Sequence, residues 1–198
     1  MDQKMKTRRR LIDVALELSS KKGFSSLSLR EVAKAAGITP AGFYRHFNEM
    51  EDLGLVMLDE VGLSLRRLIR DARKMSTSAY GVVEFSVDVF ITYVSENSNL
   101  FRLLLGERQG ASSAFRKAIH EELDRFVSEL TEDLEKGARA RSQSISKAAY
   151  AAEAIVAVVF TVGAESLDLA KQRRESLRMR LIEEVKMILR GAFLSKRG

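Results

Sequence analysis

Only one proline, Pro40, interrupts this chain of 198 residues, and its scarcity limits the folds that the chain can adopt. Long stretches are rich in Ala, Leu, Glu, Lys and Arg, which lose little side-chain freedom in a helix. No segment shows the regular apolar and polar alternation that a half-buried strand requires. The sequence therefore predicts an all-α protein, and a hydrophobic content of 45% is enough for a packed core.

The proline itself lies at the start of a short helix. Ser28 followed by Glu31 is a capping-box pattern and begins one helix, which Gly37 ends. Thr39 can then cap the next helix, and Pro40 takes the first helical position, where its missing N–H costs nothing. Two short helices joined by a tight Gly-Ile-Thr turn are typical of a helix-turn-helix.

Helices are also predicted on both sides of this pair. Apolar residues recur at helical spacing over residues 4–22 and predict a first helix. Asn48 with Glu51 is another capping signal, and it predicts that a fourth, longer helix starts at Glu49.

The third helix has an inward and an outward face. On a wheel of 3.6 residues per turn, Phe43 and Phe47 share the inward face. The opposite face and its two rims carry Ala41, Gly42, Arg45, Tyr44 and His46. Small residues let the backbone approach a groove, and donors on both rims can reach flanking phosphates. A plain solvent-exposed helix face is the alternative.

The positive charge of the chain is concentrated at its N-terminus. Residues 1–50 hold ten Lys and Arg against five Asp and Glu, whereas the other 148 residues are nearly balanced, with 23 against 22. The asymmetry indicates that a small N-terminal domain contacts a polyanion. A membrane-surface or RNA-binding protein would use the same charge, but neither needs the Thr-Pro cap and the phenylalanine-anchored helix.

The segment SLSLREVAKAAGITPAGFYRHFNEMEDL resembles the TetR family of bacterial transcriptional regulators. The resemblance implies a dimeric repressor that binds a palindromic DNA operator, with a three-helix DNA-binding domain over residues 1–48 and a helical ligand-binding and dimerisation domain over residues 49–198. It also implies DNA contacts from Arg30, Thr39, Pro40, Ala41, Arg45 and His46, with Tyr44 on a phosphate. Met50 stands where the family usually has a phosphate-binding lysine.

Beyond residue 48 the sequence predicts six helices, at residues 49–74, 80–96, 100–107, 113–136, 147–170 and 175–194. The last two carry broad apolar stripes, which predict a four-helix bundle with a second subunit. The predicted interface comprises Ile155, Val159, Gly163, Leu177, Leu181, Val185 and Ile188. Burial of these residues within one subunit is the alternative.

The middle helices are rich in phenylalanine and predict a ligand cavity. The candidate contacts are Phe90, Phe101, Arg102, Leu105, Arg108, Phe115 and Phe126. The two arginines beside an apolar run would suit an apolar tail with an anionic head. Alternatively, the aromatic residues are core packing, and the arginines are solvated or paired with Glu107.

Longer blocks, among them LGLVMLDEVGLSLRRLIRDAR, NLFRLLLGERQGASSAFRKAI and GAESLD, resemble the FabR-type branch of the TetR family. This branch represses unsaturated fatty-acid synthesis, and a relative controls a desaturase. The resemblance implies that the effector is a long-chain acyl thioester, on coenzyme A or on acyl carrier protein.

Other function classes lack their residues. The chain has no cysteine, His120 has no second histidine at the spacing of a zinc helix, and no phosphate-binding glycine loop is present. We therefore predict no enzyme, no bound metal and no cofactor. The N-terminus lacks a signal-peptide core, and the longest apolar run is too short to cross a bilayer, so we expect a cytoplasmic protein without a membrane partner.

Overall fold

The computed structural model describes residues 3–74 and 79–194. Within these ranges the chain forms helices and no strand, which confirms the all-α prediction. The helices are α1 Gln3–Lys22, α2 Leu29–Ala35, α3 Pro40–Phe43, α4 Met50–Lys74, α5 Ala79–Glu96, α6 Ser98–Arg108, α7 Ser113–Ala140, α8 Ala148–Glu165 and α9 Lys171–Leu194, with one turn of 3₁₀ helix at Phe24–Ser26.

Three boundaries differ from the predicted ones by four or more residues. Helix α7 continues through Gly137 to Ala140 instead of ending at residue 136. Helix α8 ends at Glu165 instead of residue 170, since the Ser166 hydroxyl donates to the carbonyl of Gly163 at 2.6 Å and draws that carbonyl into a turn. Helix α9 then begins four residues earlier than predicted, at Lys171.

The chain packs as two compact units. The first contains residues 1–63 and 97–121, and the second contains residues 64–96 and 122–198. These units differ from the predicted division at residue 48, because α6 packs against α1 and joins the N-terminal helices. The division by function, into DNA-binding and ligand-binding domains, stays a prediction.

The first unit has an apolar core that secures the helix-turn-helix. Leu11 and Ile12 of α1, Val32 of α2, Phe43 of α3 and Leu53 of α4 are at most 2% exposed. At its centre the rings of Phe24 and Phe115 pack together against the backbone of Gly54. The ring centroids are 5.3 Å apart, and a Cβ on the glycine would overlap them. The close approach of the backbone therefore requires glycine there.

The second unit is built around α5, α8 and α9. Its core comprises Val83, Val87, Ile155, Val162, Leu177, Leu181, Ile182 and Val185. Ion pairs at the surface reinforce the same contacts: Arg178 of α9 bonds Asp88 of α5 at 2.9 Å, and Lys186 bonds Glu84 at 2.9 Å.

Helix α8 is the one helix in the described part of the chain that is long and apolar enough to cross a bilayer. Seven of its residues are buried, and Ile155 and Val162 belong to the core shared with α5 and α9. A core helix of a globular protein passes the same test of length and composition, and this packing accounts for the apolar character of α8.

Candidate nucleic-acid interface and ligand cavity

Side-chain caps form the helix-turn-helix as the sequence predicts. The Ser28 hydroxyl accepts a hydrogen bond from the Glu31 amide at 3.3 Å, and the Thr39 hydroxyl accepts one from the Gly42 amide at 3.1 Å. Pro40 occupies the start of α3. The hydrogen bonds and the proline fix where both helices begin, so the turn between them has a defined shape.

The turn itself requires glycine. Gly37 has φ 69°, which residues with a Cβ rarely adopt. A Cβ there would also lie 3.3 Å from a guanidinium nitrogen of Arg10.

Two phenylalanines anchor α3, as predicted. Phe43 is 0% and Phe47 is 4% exposed, and their ring centroids are 5.7 Å apart. Arg8 of α1 holds the same segment: its guanidinium lies 4.4 Å from the centroid of the Phe47 ring and donates to the carbonyl of His46 at 3.0 Å. Helix α1 therefore positions the end of residues 39–47, the recognition segment.

Most of the predicted DNA-contacting residues are exposed, one on α2 and the others on the recognition segment. They are Arg30, Thr39, Pro40, Ala41, Tyr44 and Arg45, whereas Gly42 and His46 are half-buried. Tyr44 is 60% exposed. Within residues 3–74 and 79–194, neither Arg30 nor Arg45 has an ion-pair partner, so both guanidinium groups are available to a ligand.

Gly42 and His46 differ from the other six. A Cβ on Gly42 would lie 3.4 Å from the Thr39 hydroxyl and 3.5 Å from Ile38, so this position faces the turn. The Nδ1 atom of His46 is buried without a hydrogen-bond partner among the described residues. Burial lowers the pKa of His46, and the charges of Lys4, Arg8 and Arg45 lower it further.

The start of α4 departs from the predicted cap. Asp52, and not Glu51, reaches back to the Asn48 amide, at 3.1 Å. Glu51 instead accepts a hydrogen bond from the hydroxyl of Ser112. The predicted pairing of Glu51 with Asn48 was wrong because Glu51 has another partner. Ser112 is 61 positions away in the sequence but lies next to Glu51 in the folded unit.

A cavity of about 340 Å³ lies within the second unit, between α4, α5, α7, α8 and α9. Two of the predicted ligand contacts, Phe90 and Phe126, line it. The other five, Phe101, Arg102, Leu105, Arg108 and Phe115, lie on α6 and the start of α7 in the first unit. Phe101 and Phe115 are each 2% exposed there, where they fill the core.

The cavity has an aromatic end and a basic end. At one end Phe160 packs edge to face on both Phe90 and Phe126, with ring centroids 5.6 and 5.4 Å apart. At the other end the lining includes the exposed Arg141 and Lys74, whose side chain is 71% exposed and lies 3.7 Å from the carboxylate of Asp71. An apolar molecule with an anionic group fits this polarity.

The wall between the ends contains polar groups. Arg73 and Asp133 both line the cavity and form an ion pair with each other. Burial lowers the pKa of Arg73, and the charge of Asp133 opposes this shift. The hydroxyl of Ser86, also in the lining, is buried without a hydrogen-bond partner among the described residues.

Sequence reasoning missed most of this lining. One face of α7 lines the cavity at intervals of three or four residues, with Phe126, Leu130, Leu134 and Gly137, and Arg141 follows at the same spacing just after the helix ends. This periodicity is readable from the sequence and marks a buried face. It does not distinguish a face that lines a cavity from one that packs solidly.

The predicted dimer interface lies mostly inside the subunit. Ile155, Gly163, Leu177, Leu181 and Val185 are buried in one chain. Val159 lines the cavity, and Ile188 packs against the core of the second unit. Burial within one subunit, the alternative that the sequence left open, describes these side chains, because α5 covers the stripes of α8 and α9.

Comparisons with known proteins place both halves of the chain in one family. The family model "Bacterial regulatory proteins, tetR family" matches residues 11–55, and "Tetracyclin repressor-like, C-terminal domain" matches residues 80–188. An uncharacterized HTH-type transcriptional regulator of Haemophilus influenzae is 48% identical over 192 residues, which cover 96% of this chain and 92% of the relative.

Solved structures share the fold. A putative TetR-family transcriptional regulator from Syntrophomonas wolfei superposes with a TM-score of 0.83 at 16% identity, covering 98% of this chain and all of that one. The transcriptional regulator FadR from Bacillus subtilis, solved in complex with stearoyl-CoA, gives a TM-score of 0.75 at 17% identity, covering 92% of this chain and 98% of that one. These relatives are transcriptional regulators and not enzymes. The chain belongs to the TetR family of bacterial regulatory proteins, whose members bind DNA through a helix-turn-helix.

Proposed function

We propose that this protein is a dimeric repressor of FabR type, whose affinity for a palindromic operator is controlled by long-chain acyl thioesters. It would adjust the balance of unsaturated and saturated fatty-acid synthesis in the cytoplasm. The observation that carries the proposal is the cavity of the second unit, with its aromatic end and its exposed cations at the other end.

The chemistry of the cavity supports an acyl thioester. Burial of each methylene contributes about 0.8 kcal/mol, so an apolar cavity retains a long chain strongly. Lys74 and Arg141 at the basic end can pair with the phosphates of coenzyme A or with acidic side chains of acyl carrier protein. The stearoyl-CoA complex of the Bacillus subtilis regulator is consistent with this ligand class, since that protein shares the fold.

Helix α4 supports a route from ligand to DNA. It begins at Met50, three residues after the anchor Phe47, and its residues up to 63 belong to the first unit. Further along the same helix, Ile69, Arg73 and Lys74 line the cavity. A ligand that favours one position of the second half of α4 over another can therefore change the position of the first half, and differential affinity of this kind is required for control.

The exposed face around α3 supports roles for individual residues. Arg45 would read base edges in the major groove, and Tyr44 would donate to a phosphate. If the dimer contacts about six to ten phosphates, the logarithm of affinity should fall against the logarithm of salt with a slope of roughly −5 to −9. Met50 leaves the start of α4 without the usual cationic contact.

Dimerisation would use the faces of α8 and α9 that the subunit leaves exposed. Tyr150, Met179 and Met187 are 68%, 48% and 65% exposed there, and Ala157 and Thr161 are small exposed residues that let a second helix approach. These five replace the buried stripe as the proposed contacts. The two recognition segments should then reach half-sites about 34–36 Å apart, one turn of the duplex.

The test is selection of bound duplexes from a random DNA pool, with sedimentation to count subunits on the selected site. We expect an inverted repeat occupied by two chains. A single chain on an asymmetric site with full affinity would refute the dimer. Addition of palmitoyl-CoA and oleoyl-CoA tests the effector. If neither binds at micromolar concentration, the protein is a TetR-family repressor that senses another hydrophobic molecule.

A further inference from the structure

The aromatic end of the cavity is a closed wall. Phe90 and Phe126 are 3% and 7% exposed, and Phe160 packs edge to face against both. Edge-to-face aromatic pairs are favourable beyond their buried area, so the three rings hold one another in place. A chain that enters from the basic end therefore stops at these rings.

Gly163 sets the position of one of these rings. A Cβ built on Gly163 would overlap Cε1 of Phe90 and lie 2.8 Å from its Cζ. The Phe90 ring therefore rests directly on the backbone of α8 on one side and borders the cavity on the other. Any side chain at position 163 would push the ring into the cavity.

The length of the cavity follows from α7. The lining residues on α7 and in the turn directly after it run from Phe126 to Arg141, which are fifteen positions apart, or about 22 Å at 1.5 Å per residue. An extended alkyl chain advances about 1.25 Å per methylene, since its carbon–carbon bonds are about 1.52 Å long and its bond angle is near 111°. The cavity therefore accommodates at most about 18 carbons.

We propose that the Phe90 ring, held by Gly163, is the floor that measures the length of the acyl chain. The proposal rests on the acyl-thioester function proposed above and adds the residues that determine chain-length specificity. A chain that reaches the floor buries every methylene, whereas a longer one must leave part of its tail outside or displace the rings.

The test measures the binding of saturated acyl-CoA esters of 10 to 20 carbons to the full-length protein by titration calorimetry, below micelle-forming concentrations. For the wild type, affinity should rise about fifteenfold for every two carbons up to roughly 16 to 18 carbons and then fall. G163A should move the optimum to a chain at least two carbons shorter. F90L removes part of the floor and should move the optimum to a longer chain.

Gly106→Ala is the matched control. Gly106 also lies within a helix, and a Cβ there would meet no atom within 4 Å, so the optimum should stay at the wild-type length. Thermal melts by circular dichroism verify that each variant is folded. If G163A is not folded, F90L provides an independent test of the floor.

Two outcomes separate the floor from the function. If acyl-CoA esters bind but the optimum is the same in the wild type, G163A and F90L, or affinity still rises at 20 carbons, the floor is overturned while the function stands. If the wild type binds no acyl-CoA of any length, the proposed function itself is overturned, and the floor with it.

Discussion

The ion pair between Arg66 and Glu122 offers a sharp test of how the second unit is held together. Arg66 lies on α4 and Glu122 on α7, 56 residues apart in sequence, and each side chain is 10% exposed. Arg66 also reaches Glu129 at 3.3 Å, and Glu122 accepts from Arg125 at 2.9 Å. We predict that each single replacement destabilises the protein far more than replacement of both residues.

The magnitude follows from burial. Removal of one partner of a buried ion pair costs about 3–5 kcal/mol, because it leaves a charge in a medium of low polarity. For Arg66→Met we expect about 3 kcal/mol, the lower end, since Arg125 still compensates Glu122. Replacement of both, by Arg66→Met with Glu122→Leu, should cost less than about 1 kcal/mol, because neither position then carries an unpaired buried charge, Glu129 keeps its ion pair with Arg70 at 3.0 Å, and the volume is filled.

The assay is urea unfolding followed by far-ultraviolet circular dichroism, as the chain has no tryptophan. All variants are compared at one protein concentration, because the stability of the proposed dimer would depend on it. Glu132→Gln is the control: Glu132 and Lys136 form an exposed pair on the same helix, so this change should shift stability by less than about 0.5 kcal/mol. If the double variant loses the sum of the two single losses, the reasoning is refuted.

Three further predictions concern the DNA-binding segment. Arg45→Ala should weaken operator binding by about 1–3 kcal/mol and relax the base preference at one position in each half-site, whereas Tyr44→Phe should weaken binding to cognate and scrambled duplexes alike. Both are measured by gel shift. Equal losses of affinity for Arg45→Ala on the two duplexes would exclude base readout by Arg45. Thr39→Ala removes the cap of α3 and should cost about 1 kcal/mol in urea unfolding, while a loss below about 0.3 kcal/mol would mean that the cap is unimportant. Because the pKa of His46 is lowered in the native state, the stability that the neutral imidazole provides should be complete above pH of about 6.5 and decrease as the pH falls toward the lower native value. His46→Gln should remove this pH dependence of stability between pH 5 and pH 8. If the variant shows the same dependence as the wild type, His46 is not the group that causes it.

The DNA-binding segment was predictable because its signals are local. Ser28 and Thr39 cap the amides of residues three positions later, and Phe43 and Phe47 lie one helical turn apart. A side chain and the backbone within four residues of it interact wherever the chain forms a helix. The sequence was therefore sufficient to locate α2, the turn and the start of α3. It did not predict the end of α3, which is a regular helix only to Phe43 and continues as turns over residues 44–46.

The cavity and the subunit contacts were less predictable because they depend on distant residues. The periodicity of Phe115 showed that it would be buried, but its partners Phe24 and Gly54 lie 91 and 61 positions earlier in the chain. The apolar stripe containing Leu181 likewise predicts burial without stating whether its own subunit or another covers it. An apolar periodicity identifies a face, and only the packing of helices identifies its neighbour.

The central claim is that acyl chains change the affinity of this protein for its operator. The most direct measurement is the anisotropy of a labelled operator titrated with the protein, saturated in turn with palmitoyl-CoA and with oleoyl-CoA. We expect the two dissociation constants to differ by about 5-fold to 150-fold, a coupling of about 1–3 kcal/mol, because a straight and a bent chain favour different positions of α4. Tight binding of both thioesters that leaves the operator affinity at its ligand-free value would contradict the claim.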